Sequence, residues 1–136
     1  MNIIPWITRL TGRVKVLETA YTPVIASGTT TPIAITADQA RRGVVVSNLG
    51  ATGAVEFDLP AAVAGMSITA HVHVAQNLAL DPAAADKIIT GAGVDLTAGV
   101  PTLANAVGEF ITLRCFEDGT WQSTVYSGTW DADGTP

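Results

Sequence analysis

The sequence predicts an all-β domain: a small antiparallel β-sandwich or barrel with an N-terminal extended arm. Three observations predict it. Short runs of alternating apolar and polar residues recur at intervals of about 8–12 residues, with turn-forming residues between them. No long amphipathic helix is present, which argues against a βαβ fold. Asp118-Gly119 separates two alternating runs, and Asp-Gly is a strong hairpin signal because both residues accept the positive φ of a type I′ turn.

A chain of 136 residues suits one domain with one core. Residues 1–20 read as an arm or attachment segment, 21–130 as the β domain, and 131–136 as a frayed tail. The arm carries Ile3, Ile4, Trp6, Ile7 and Leu10, yet Pro5 and Gly12 interrupt any long helix. An apolar segment too short for its own core packs on its own domain or on a neighbouring subunit.

The strands follow in order. Val14–Thr19 alternates, and Ile33 and Ile35 alternate with Ala34 and Thr36. Residues 37–42 fit one helical turn before Gly43, and Val44–Asn48 is a short β-branched run. In Ala54–Leu59 the odd positions Val55, Phe57 and Leu59 are apolar and the even positions are small or charged. Pro60–Gly65 reads as a corner or a single helical turn. Met66–Ala75 is the longest predicted strand, and Leu78 and Leu80 follow before Asp81-Pro82 breaks the run. Between 83 and 107 the glycines leave room only for short strands at Ile88-Ile89 and Val94–Leu96. Glu109–Phe116 and Thr120–Tyr126 form the hairpin. No internal repeat stands out.

Composition narrows the function classes. Hydrophobic residues make up 48% but charged residues only 14%, well below the usual quarter. Such a surface is covered by Thr, Ser, Asn and Gly, by another chain, or by both, which points to a component of an assembly. Residues 1–48 hold five cations against two carboxylates, and residues 49–136 hold two against ten. The net charge of −5 disfavours general nucleic-acid binding. The basic front end suits docking on an acidic surface, or it is ordinary scatter of few charges. No apolar run approaches the roughly 18 residues of a membrane span. A secretory leader is not expected, so the protein is expected in the cytoplasm when made.

Catalytic motifs are sparse, and no enzyme activity is expected. The nucleophile elbow, the phosphate-binding loop and the His-Glu-x-x-His helix are all missing. Gly91-Ala-Gly93 lacks the third glycine of a dinucleotide fingerprint, and Asp131-Ala-Asp133-Gly134 lacks the later ligands of a calcium loop. Cys115 shares a face with Ile111 and Leu113, the setting of a core thiol. Glu56 and Asp58 share a strand face and are the only candidate carboxylate pair; otherwise they are a solvated sheet edge. His71 and His73 share a side of one strand and could contribute to a metal site in a symmetric trimer. The plainer reading is a polar pair facing solvent or an interface. No metal and no cofactor is assigned.

Five segments occur in a set order: Ala54–Gly65 (AVEFDLPAAVAG), Gln76–Pro82 (QNLALDP), Asp86–Ile89 (DKII), Val107–Cys115 (VGEFITLRC), then Gly119-Thr-Trp121 with Ser127–Trp130 (SGTW). This arrangement resembles a module of tailed-phage head-decoration (cement) and head-fibre proteins, also found in tail-fibre segments. The resemblance covers roughly residues 50–130 and lapses over 90–105. It implies a structural virion protein, a homotrimer on the outer capsid surface that stabilises the head. The implied partners are the major capsid protein and other copies of the chain, with no nucleic acid and no membrane. The contact residues expected on the arm are Ile4, Trp6, Ile7, Arg9, Leu10, Arg13 and Lys15. The alternative is a tail-fibre or receptor-binding segment, with an exposed Trp121/Trp130 pair stacking on host glycan.

Overall fold

Alternation decides which side of each strand meets the core. Val55, Phe57 and Leu59 are buried while Glu56 and Asp58 turn outward, and Leu78 and Leu80 are buried while Ala79 and Asp81 turn outward. The computed structural model describes residues 24–25 and 32–132. These residues form β1 (Val24–Ile25), β2 (Ile33–Ala34), α1 (Ala37–Arg42), β3 (Val44–Ser47), β4 (Val55–Asp58), β5 (Ser67–His71) and β6 (Leu78–Asp81). They continue with β7 (Lys87–Ile89), β8 (Thr102–Ala104), β9 (Phe110–Glu117) and β10 (Thr120–Ser127).

The strands make two sheets, one of six in the order β1-β3-β5-β9-β10-β7 and one of four in the order β2-β4-β6-β8. A shared core draws on both: Val44, Val46, Ile68, Ile111 and Leu113 from the larger sheet, and Val55, Phe57, Leu78 and Leu80 from the smaller. The protein is therefore all-β and sandwich-like, and neither sheet closes into a barrel.

The pairing is mixed rather than antiparallel. From β1 to β6 the chain alternates between the sheets, so strands two apart in sequence lie side by side and parallel. Val24 lies beside Val46, Val44 beside Ile68, Ile33 beside Phe57 and Val55 beside Leu78, offsets of 22, 24, 24 and 23 residues. This is a coil with a near-constant period. Parallel neighbours need a crossover of a dozen or more residues. Here the strand in the opposite sheet serves as that crossover. From β7 onward the pattern changes. β9 and β10 form an antiparallel hairpin, β9 closes antiparallel on β5, and β8 closes antiparallel on β6.

Local chemistry explains the boundaries. The helix at 37–42 starts with a capping box: Gln39 N–H donates to Thr36 Oγ1 (3.2 Å) and Thr36 N–H donates to Gln39 Oε1 (2.9 Å). Gly43 ends it, and the β-branched run begins at once. Residues 60–65 form an irregular corner, not a helical turn. Their N–H groups are claimed from outside: Ala62 donates to Asp86 Oδ2 (2.6 Å) and Ala64 to Asp118 Oδ1 (3.0 Å).

The run predicted over 66–75 ends as a strand at His71. Beyond it, His73 and Val74 N–H donate to Asn48 Oδ1 (2.7 and 3.1 Å) instead of to a neighbouring strand. Val94–Leu96 gives a single bridge, Asp95 to Ile89, and the strand at Thr102–Ala104 was not expected. Asp131 also bridges to Leu103, so pairing runs into what reads as a tail. The hairpin turn is left-handed at Gly119 (φ +84°) and not at Asp118, which excludes type I′. Asp118 is instead the acceptor that pins Ala64.

Candidate functional site

The two outer faces of the sandwich carry opposite charge. On the larger sheet, Val45, Thr69 and Thr112 lie in register across β3, β5 and β9 and point away from the core. Thr69 and Thr112 hydroxyls are hydrogen-bonded at 3.0 Å. Arg114 stands on this face, flanked by Ser67 on β5 and Gln122 on β10. The last turn of α1 brings Arg41 and Arg42 to the same place. The result is a groove of about 450 Å³ with three arginines on its walls and Ser and Thr hydroxyls in its lining. It holds three of the four cationic residues that the structure describes, the fourth being Lys87. Arg42 has an exposed ion pair with Asp38 at 3.7 Å, a contact worth little in water.

On the smaller sheet, Glu56 and Asp58 point outward from β4. The register Asp58 to Asp81 adds a third carboxylate from β6. Their oxygens lie within 4.8 Å of one another. β4 sits between β2 and β6, so this is the middle of a sheet and not its edge. Partial burial and the neighbouring carboxylates raise Glu56 above the ordinary glutamate value, Asp81 contributing more than Asp58. Asp81 is raised in the same way, by burial and by Asp58. Converging carboxylates suit a hard cation or a basic partner surface. Asp81 was legible in principle, because Leu78-Ala-Leu-Asp81 repeats the pattern of Val55-Glu-Phe-Asp58.

The other residues singled out from the sequence have structural surroundings. His71 stacks on Phe110 (centroids 5.4 Å apart, planes at 24°), and its ring lies 5.9 Å from that of His73. His73 Nδ1 is hydrogen-bonded to Ser47 Oγ at 2.6 Å. Burial, with a smaller contribution from His73, lowers the His71 pKa. Cys115 is buried, and desolvation, aided by Asp86, pushes its thiol up to about 12. A thiol held protonated in this way is not a nucleophile.

The exposed tryptophan pair is overturned. Trp121 is 0% exposed and Trp130 is 4% exposed, because both fill the core beneath the hairpin. Trp130 Nε1 donates to the Ser127 carbonyl (3.2 Å). The aromatic ring that reaches solvent there is Tyr126, 46% exposed, on the rim of a groove of about 340 Å³ with Gly91, Val94 and Trp130. Ile4, Trp6, Ile7, Arg9, Leu10, Arg13 and Lys15 lie outside the described residues.

No protein-family model matches the chain, and neither a curated protein nor a solved structure matches it.

Proposed function

We propose that this protein is a structural component of a tailed-phage virion, bound to the outer capsid surface as a decoration or cement protein and working as a homotrimer. The observation that carries the reading is the ordered set of segments over residues 54–130. Each supplies a consecutive part of one framework. Ala54–Gly65 gives β4 and the corner that follows, Gln76–Pro82 gives β6, Asp86–Ile89 gives β7, and Val107–Cys115 gives most of β9. Phe57, Leu80, Ile88, Leu113, Trp121 and Trp130 within them are buried in the core. The segments that carry the resemblance thus build core strands and their corners, in order, rather than one short loop.

The surface is consistent with this role. A protein that stabilises a shell needs contact area, and several weak contacts made at once are strengthened by effective concentration. The arm carries the attachment in this reading. Deleting residues 2–12 is expected to leave the β fold intact and abolish decoration of heads. Decoration that persists after the deletion removes the arm from the mechanism.

Copy number per purified particle, measured by quantitative mass spectrometry against the major coat protein, tests the proposal. A number comparable to the coat protein, or a simple fraction of it, is expected. A handful of copies places the protein in the tail or neck and overturns the capsid reading.

A further inference from the structure

We propose that the arginine groove of the larger sheet and the carboxylate face of the smaller sheet are the two sides of one head-to-tail contact between copies of this chain. This rests on the reading above only in its call for self-association. It names the surfaces that would make the contact.

The argument starts from placement. Each sheet buries one face in the common core, so the two outer faces look away from each other. One carries Arg41, Arg42 and Arg114 around a groove, and the other carries Glu56, Asp58 and Asp81 together. Among the described residues, Arg41, Arg114 and the three carboxylates make no ion pair within the chain, since the pairs present are Arg42–Asp38 and Lys87–Asp95. Glu56 and Asp81 also bind protons more readily than isolated carboxylates do, so a cationic surface set against them relieves their mutual repulsion. Arginine is the side chain best matched to carboxylates, through paired N–H donors.

The shape of the two faces agrees with this. Small residues flank the carboxylates, Ala34 beside Asp58 and Ala79 beside Glu56, so the acidic groups stand clear of bulky neighbours. The groove lining is mostly Ser, Thr and Val, which leaves the guanidinium groups as its strongest feature. A second copy is the occupant whose complementary charge the structure itself displays. Because the two sides differ, the contact is heterologous. Such contacts close into rings when the rotation allows and grow into open chains when it does not. Because the two faces look away from each other, this contact stacks copies in line, as an open chain, and is separate from any contact that closes a trimer.

Sedimentation velocity on the full chain tests the contact, at about 0.05 M and about 0.5 M NaCl, on either side of a 10 Å Debye length. Self-association at low salt that weakens at least about tenfold at high salt is expected. Two charge-reversed proteins follow, Arg41→Glu with Arg114→Glu, and Glu56→Lys with Asp81→Lys. Each alone is expected to stay monomeric with an unchanged circular dichroism spectrum. An equimolar mixture is expected to associate again, because each reversed face meets its opposite.

A wild-type chain that is monomeric at low salt overturns the contact, and with it the self-association in the reading above. Association that survives either reversal overturns the contact and leaves self-association to another surface. Loss in both variants without recovery in the mixture means that the two faces do not meet each other and also overturns it. If the reversed proteins misfold, the single variants Arg114→Gln and Asp81→Asn replace them, and each is expected to weaken association. Copy number on particles is unaffected by any of these outcomes, so failure here is distinguishable from failure of capsid attachment.

Discussion

The coil from β1 to β6 and the closing part from β7 to β10 build one core by different means. In the coil, neighbours on a sheet are 22 to 24 residues apart and parallel. In the closing part, the dominant pairing is a hairpin whose turn is Asp118-Gly119. Each half is held by a buried polar side chain, and the two reach different distances. Asn48 satisfies four backbone groups, accepting from the His73 and Val74 N–H groups and donating to the Val74 and Gln76 carbonyls. All four belong to the next turn of the coil. Glu109 accepts from the nearby Asn105 and Ala106 N–H groups and from Thr129. The coil depends on cross-links between successive turns, whereas the closing part depends mainly on local geometry.

The largest expected effect is at Asn48. It is 0% exposed, and Asn48→Ala leaves the His73 and Val74 N–H groups and the Gln76 carbonyl without their partner, while the Val74 carbonyl keeps the Gln76 N–H. A loss of about 3–4 kcal/mol is expected, at the upper end for single substitutions, read by urea denaturation. A loss under about 1 kcal/mol would show that water replaces the side chain and that the coil does not depend on this cross-link.

Gly128→Ala is the matching test of the closing part. Gly128 has φ +86°, and an added Cβ would overlap the Glu109 side chain. Backbone strain and the displaced carboxylate together are expected to cost about 2–3 kcal/mol. Gly119→Ala has the same kind of backbone (φ +84°), with only the Asp86 carboxylate near, at 3.8 Å. About 1 kcal/mol is expected there. If the two glycine variants cost the same, Glu109 adds nothing beyond backbone geometry.

The smallest effect has the opposite sign. A carboxylate whose pKa is raised by folding holds its proton more tightly in the folded chain than in the unfolded one. Stability then falls as pH rises from the ordinary carboxylate range, 3.8 for Asp and 4.5 for Glu, through the raised values of Asp81 and Glu56. Asp81→Asn removes one charge from the cluster. In about 0.5 M NaCl, where the copies are expected to be apart, it is expected to raise stability at pH 7 slightly, by well under about 1 kcal/mol because the groups are largely solvated, and to flatten that part of the pH profile. A variant less stable than wild type in that salt would mean that a cation already neutralises the cluster.

These two halves also differ in what could be read in advance. The hairpin was legible because its strands are joined by two residues, and Asp-Gly shows where they turn. The coil was legible only as separate strands. Alternation in Val55-Glu-Phe-Asp58 and Leu78-Ala-Leu-Asp81 sorts core from surface, yet nothing in either segment says that the two lie side by side. That needs the intervening chain to cross to the other sheet and return. The Glu56/Asp58 pair is legible on its own strand, but the place of Asp81 beside it is hidden for this reason, and so is the groove, where Arg41 and Arg114 are brought together from 73 positions apart. Trp121 and Trp130 both sit near turns, where exposure is the usual expectation, while the tertiary fold turns both into the core.

Residue order alone was enough for the all-β class, the inward side of most strands, the helical turn before Gly43, and the buried thiol. All of these follow from interactions within a few residues. Folding in three dimensions settled the parallel coil, the burial of Trp121 and Trp130, and the opposed charged faces. Those depend on pairings between strands some two dozen or more residues apart, and hydrophobic burial, which drives them, is non-directional and names no partner.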